Sequence, residues 1–161
     1  MEVYKITLRR VLSYFAWPLF GLILILGISY YLTPDFSILY DNIWVGLILF
    51  LFLFWTLPTA ILLINHYIYL KGTIFEYDEL QEEFYYSNKN ESLKFKKTDI
   101  TEINQYNHGG SRIPWSDIYI WEINAKGQQI KLTNILIDKM DFIKIFWDKK
   151  IDNNFKFFVT M

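Results

Sequence analysis

The sequence predicts an α+β membrane protein, in which an N-terminal two-helix transmembrane hairpin precedes an antiparallel β domain closed by a C-terminal helix. Three observations carry this. Two runs, Val11 to Pro34 and Asn42 to Asn65, contain no Lys or Arg, and their apolar stretches contain no Asp or Glu. From Tyr67 onward the chain changes to short alternating segments rich in aromatic and β-branched residues. After Ile137 the apolar period becomes helical.

A bilayer core of about 30 Å needs roughly 20 apolar residues in a helix, and each run supplies them. Helices are expected over about residues 11–32 and 43–65. Buried helices of a water-soluble core usually keep a polar stripe, and neither run has one. Arg9 and Arg10 before the first run invite a signal-peptide reading, but ISYYLTPD after it is too bulky for a small-x-small cleavage site. Lys5, Arg9 and Arg10 precede the hairpin and Lys71 follows it, whereas the link from Thr33 to Asn42 has no basic residue. The positive-inside rule then predicts a multi-pass protein of the cell (inner) membrane with both termini in the cytoplasm. Pro18 and Pro58 predict kinks, with Thr56 or Thr59 as candidates to satisfy the backbone freed at Pro58. The absence of charge within the spans argues for an anchor rather than a transport pathway.

The domain division expected is 1–66 for the hairpin and 67–161 for a cytoplasmic β domain with a helix at about 138–149. Strand candidates are TIFEYDE, EEFYYSN, SLKFKKT, ITEINQY, IYIWEINA and QQIKLTNIL. Ala125-Lys126-Gly127-Gln128 marks a hairpin turn, which sets Ile118, Ile120 and Glu122 on one face and Tyr119, Trp121 and Ile123 on the other. Asp138 is placed to cap the final helix, and Met140, Ile143 and Phe146 or Trp147 form the stripe expected to pack on the sheet. The tail NFKFFVTM is a candidate terminal strand or membrane-surface segment.

This layout, with ESLKFKKTDITEI, RIPWSDIYIWEINAKGQQIKLTNILI and the closing KFFVTM, resembles the bacterial membrane-anchored pleckstrin-homology (PH)-like proteins. The resemblance covers about Tyr67 to Met161 and implies a strongly bent barrel or sandwich of about seven strands capped by the helix. In phosphoinositide-binding relatives, basic residues on the first two strands and the loop between them collect the phosphates. The loop assigned to that position here reads EYDELQEEF, and carboxylates cannot donate the hydrogen bonds that phosphate needs.

Composition removes other classes. With no cysteine, disulfides, thiol catalysis and Cys-based zinc sites are excluded. A formal net charge of −1 does not favour a nucleic-acid partner. The acidic loop lacks the spacing and glycine turn of a calcium loop, and His66 and His108 are too few for a metal centre. YNHGGSRIPW carries neither a phosphate-loop ending nor a nucleophile elbow around Ser111. No enzyme, metal or cofactor is therefore expected.

What remains is surface. Tyr106, Trp115, Tyr119 and Trp121 are the candidate partner-binding residues, and Lys94, Lys96 and Lys97 the candidate lipid-facing ones. The function expected is a membrane-anchored adaptor or complex-assembly protein whose domain binds a protein partner at the membrane lipid. The alternatives are an immunity protein that holds a toxin, and anionic-lipid sensing by the β domain.

Overall fold

A computed structural model describes residues 1–32, 43–107, 118–156 and 160–161. Within them the order is β1 (Glu2–Lys5), α1 (Leu8–Leu32), α2 (Ile43–Leu70), β2 (Ile74–Asp78), β3 (Glu83–Ser87), β4 (Ser92–Lys96), β5 (Ile100–Asn107), β6 (Ile120–Ala125), β7 (Gln128–Thr133), α3 (Lys139–Ile145) and β8 (Ile151–Phe155). The strands form two four-stranded sheets, β1-β2-β3-β4 and β7-β6-β5-β8, so the architecture is an open pair of sheets and not a closed barrel.

All six strand segments read from the alternation are strands, and in β2 and β3 the buried positions recur every second residue along one face. Phe75 and Tyr77 of β2, Phe84 and Tyr86 of β3, and Phe95 of β4 meet Ile103, Trp121, Ile123, Ile130 and Leu132 of the second sheet in one core. The β6–β7 turn has positive φ at both central residues, Lys126 (51°) and Gly127 (74°), which is the geometry whose twist matches paired antiparallel strands.

One strand was not expected, and the candidate terminal strand lies earlier than its expected place. Glu2–Lys5 pairs antiparallel with β2, in the register Glu2 with Tyr77 and Lys5 with Ile74. The helical hairpin is thus inserted between the first two strands of the sheet, and residues 2–5 of the segment assigned to the hairpin pair with the domain. β8 pairs in parallel with β5, where an all-antiparallel domain was expected. It overlaps only the start of the tail NFKFFVTM, of which residues 157–159 lie outside those described.

Helix α3 is shorter than the expected 138–149. Asp138 caps it as expected, its carboxylate accepting from the Met140 amide at 2.9 Å. The helix ends at Ile145, and Asp148 turns back to the Lys97 ammonium. Its buried face is Phe142, Ile145 and Phe146. Of the stripe expected over the sheet, Met140, Ile143 and Phe146 or Trp147, only Phe146 is buried, while Met140, Ile143 and Trp147 lie on the opposite side and are exposed. Phe142 wins the inner face because its ring stacks on Trp121 at 4.0 Å and also meets Phe146 at 4.6 Å.

Val45–Leu70 of α2 is long and apolar enough to cross a membrane, and Phe20–Leu32 of α1 is a shorter apolar stretch. Their large side chains, among them Phe20, Ile23, Ile28, Ile48, Phe50, Phe54 and Leu57, point away from other parts of the protein. The helices approach closely at Gly21, where an added Cβ would stand 2.6 Å from the Phe52 ring. Pro58 lies inside α2 as expected. The Thr56 hydroxyl donates to the Phe52 carbonyl at 3.0 Å, and so does not serve the Phe54 carbonyl that a proline at 58 leaves without its donor.

The hairpin is fastened to the domain, not merely tethered. Val11, Leu62 and Leu63 pack with Ile118 and Ile135 in a second apolar cluster, and Leu70 reaches the main core. Arg10 donates to the Leu136 carbonyl at 2.7 Å, and the Asn134 amide donates to the Tyr14 hydroxyl at 2.8 Å. At the chain end, the Met161 amide donates to Asn65 Oδ1 at 2.9 Å.

Candidate functional site

The strand register gives the domain two ends. Lys5 leads into α1 and Ile74 follows α2, so the Lys5–Ile74 pair and the adjoining Ser87–Ser92 pair mark the helix-bearing end of the first sheet. The Glu2–Tyr77 and Glu83–Lys96 pairs mark the far end. In the second sheet the Lys126-Gly127 turn is at the far end, because the Lys126 ammonium donates to the Lys94 carbonyl at 2.8 Å.

Trp121 is a core residue, 0% exposed, stacked on Phe142 and donating through Nε1 to Gln105 Oε1 at 2.8 Å. It cannot touch a partner without unfolding the sheet, which corrects its assignment as a contact residue. Alternation places it on one face with Tyr119 and Ile123; Ile123 is buried with it, and Tyr119 packs partly buried against the same core. Tyr119 and Tyr106 are half-buried near the helix-bearing end, and each carries a lysine over its ring, Lys139 at 4.4 Å and Lys156 at 4.0 Å. Burial and the neighbouring Glu122 raise the Tyr106 phenol above its ordinary range. Trp115 and the stretch 108–117, with His108 and Ser111, lie outside the described residues.

The three candidate lipid-facing lysines do not form one patch. Lys97 is 8% exposed at its side chain and pairs with Asp148 at 2.5 Å. Lys94 pairs with Glu83 at 2.7 Å. Lys96 is exposed beside them, toward the end of the sheet away from the helices. Desolvation decides the role of Lys97, since a buried ammonium needs its carboxylate and is not released to a headgroup. The Lys97 hydrogen bond holds the Asp148 carboxyl below the usual range.

The loop EYDELQEEF joins β2 to β3, not the first strand to the second, because Glu2–Lys5 is the first strand of the sheet. The connection between the first two strands is the helical hairpin itself. Asp78 is spent on the loop backbone, its Oδ1 accepting from the Leu80 and Gln81 amides at 3.0 and 3.3 Å. Among the described residues no group of three or more His, Asp or Glu side chains could hold a metal ion.

The far end does contain a groove that the sequence reading did not single out. It encloses about 170 Å³, with Tyr4, Tyr77 and Ile145 among its lining residues, together with Glu2, Glu79, Glu82, Asp141, Lys97, Lys144 and Trp147. The Tyr4 hydroxyl donates to Glu2 at 2.5 Å, and burial first, then that carboxylate, raises the Tyr4 phenol well above its ordinary range. Four carboxylates face two ammonium groups, one already bound by Asp148, so the groove is acidic. Around it stand exposed apolar side chains, Trp147 at 77% and Leu80 at 97%. With Met140 and Ile143, Trp147 makes an outward stripe, so α3 is apolar on both faces. The available signal was the second set, Phe142, Ile145 and Phe146, at the same helical spacing.

No curated protein and no solved structure matches the chain. A family profile described as PH domain matches residues 3–145, which takes in β1, the helical hairpin and the strands through α3. Such domains are in general binding modules for proteins or lipids and not catalysts. The two mixed or antiparallel sheets with one packed helix agree with that profile, and the chain belongs to the PH domain family.

Proposed function

We propose that this protein is a membrane-anchored PH-domain adaptor, held by its helical hairpin with the domain in the cytoplasm, and that it engages a protein partner at the far end of that domain. The observation that carries the reading is the outward stripe of Met140, Ile143 and Trp147 beside the acidic groove. A helix packed on a sheet has no structural need for a second apolar face, and an exposed tryptophan flanked by carboxylates suits a partner segment that combines an apolar anchor with Lys or Arg. The anchor reading is supported by the length of Val45–Leu70, by apolar side chains exposed along both helices, and by basic residues confined to the domain side of the hairpin.

The test is site-specific photo-crosslinking in native membranes. A photoreactive side chain at Trp147 is expected to capture a discrete protein, while the same probe at Tyr85, on another face of the domain, is not. Equal capture at both positions would remove the adaptor reading. Trp147→Ala is expected to weaken a central contact by 2 kcal/mol or more, about 30-fold in affinity, without changing the fold.

A further inference from the structure

We propose that the helix-bearing end of the domain rests on anionic headgroups of the same bilayer, through two lysines that tyrosines hold in place, Lys139 and Lys156. The inference rests on the membrane reading of the hairpin and assigns the lipid contact to the end opposite Lys94, Lys96 and Lys97.

The level of this end follows from Arg10. It is the last charge before the apolar run of α1, and its guanidinium donates to Leu136 and stands 3.8 Å from Asp138. The segment just before α3 is therefore held at the level where the helix enters hydrocarbon. Lys139 follows at once, exposed, with its ammonium 4.4 Å from the centre of the Tyr119 ring and 3.1 Å from the Tyr119 hydroxyl. Lys156 is exposed just beyond β8, where its amide donates to the Asn107 carbonyl at 3.0 Å and its ammonium lies 4.0 Å over Tyr106. A ring engages one side of an ammonium and leaves other N–H groups to donate to phosphate, while limiting the rotamer freedom that headgroup binding would otherwise remove. Beside Lys156, Phe155 is 67% exposed, an apolar ring at the surface of this end. The carboxylates Glu2, Glu79, Glu82 and Glu83 gather at the other end. The charge distribution thus turns the lysine end toward an anionic surface and the acidic end away. A bilayer is the occupant that this end meets by construction, because the hairpin leaves from it.

Each lysine near an anionic surface contributes about fivefold to the contact, and the pair about 25-fold. The absence of cysteine allows single-site spin labels on the full chain in nanodiscs. A label at Phe155→Cys is expected to report a headgroup environment in discs containing phosphatidylglycerol, and to return to water in phosphatidylcholine alone, at high salt, or with Lys139→Gln and Lys156→Gln together. A label at Glu79→Cys is expected in water throughout. A label at Leu51→Cys is expected in hydrocarbon. If the Leu51→Cys label is lipid-exposed while the Phe155→Cys label is equally aqueous in both lipids, the lysine contact is overturned and the anchor stands. A hydrated label at Leu51→Cys would overturn both.

Discussion

Replacing Trp121 by alanine should come close to unfolding the domain. The side chain is fully buried, stacks on Phe142 at 4.0 Å with an interplanar angle of 10°, and donates to Gln105. Truncating a buried tryptophan costs about 3–5 kcal/mol, which is a large share of the 5–15 kcal/mol that holds a typical domain together. Trp121→Phe keeps most of the stacking area and loses the Nε1 hydrogen bond, so its cost should be smaller, about 1–2 kcal/mol. Trp147→Ala serves as the contrast, because that side chain is 77% exposed and should stay within about 0.5 kcal/mol of wild type. The assay is reversible urea unfolding of the detergent-solubilised full chain, followed by near-ultraviolet circular dichroism. If Trp121→Ala and Trp147→Ala shifted the midpoint equally, the assignment of one to the core and the other to the surface would be refuted.

Asp148→Ala leaves the buried Lys97 ammonium without its partner and should destabilise by about 1–3 kcal/mol, with the double variant Lys97→Met and Asp148→Ala recovering much of the loss. The same pair sets a pH dependence. The folded Asp148 carboxyl is held below its unfolded value, so its contribution is present above the unfolded carboxylate range and is lost as pH falls through the folded value. Acid titration of stability should therefore flatten in Asp148→Asn. Gly127→Ala places a Cβ at a φ of 74° and should cost about 1–2 kcal/mol in the same urea assay. Ending the chain at Lys150 removes β8, exposes the β5 edge and should give concentration-dependent association in size-exclusion chromatography.

The six alternating strands were legible because a half-buried strand writes its inner face into every second residue, as IFEYD and EFYYS do. β1 was not. Its alternation, EVYK, is only four residues long, and its partner strand begins at Ile74, beyond both helices. Without β1 at the head of the strand order, the acidic loop takes the position that the hairpin occupies. The place of β8 was obscured by composition, since IDNNF carries two asparagines that ordinarily disfavour strands and the apolar tail beyond it is the stronger strand pattern. Side-chain amides compensate, with Gln105 donating to Asn153 at 2.7 Å and Asn154 to Asn104 at 3.0 Å.

The candidate site was less legible than the fold, and α3 shows why. Its sequence holds two apolar stripes, Met140-Ile143-Trp147 and Phe142-Ile145-Phe146, and periodicity alone cannot say which one the sheet will cover. Only the position of Trp121 on the facing sheet selects the second. In the same way, Lys94, Lys96 and Lys97 form one basic run in sequence, yet Glu83 and Asp148 come from other elements to take two of them. Long-range contacts decide such matters, and a local pattern does not contain them.

The central claim is that the hairpin crosses the membrane with the domain on the cytoplasmic side, and labelling single cysteines in intact cells tests it most directly. With no native cysteine, Asp35→Cys in the link between the helices and Glu79→Cys in the domain each report one position. The account predicts that a membrane-impermeant maleimide labels the Asp35→Cys protein from outside, and labels the Glu79→Cys protein only after lysis. Labelling of Glu79→Cys in intact cells, or protection of Asp35→Cys until lysis, would contradict it.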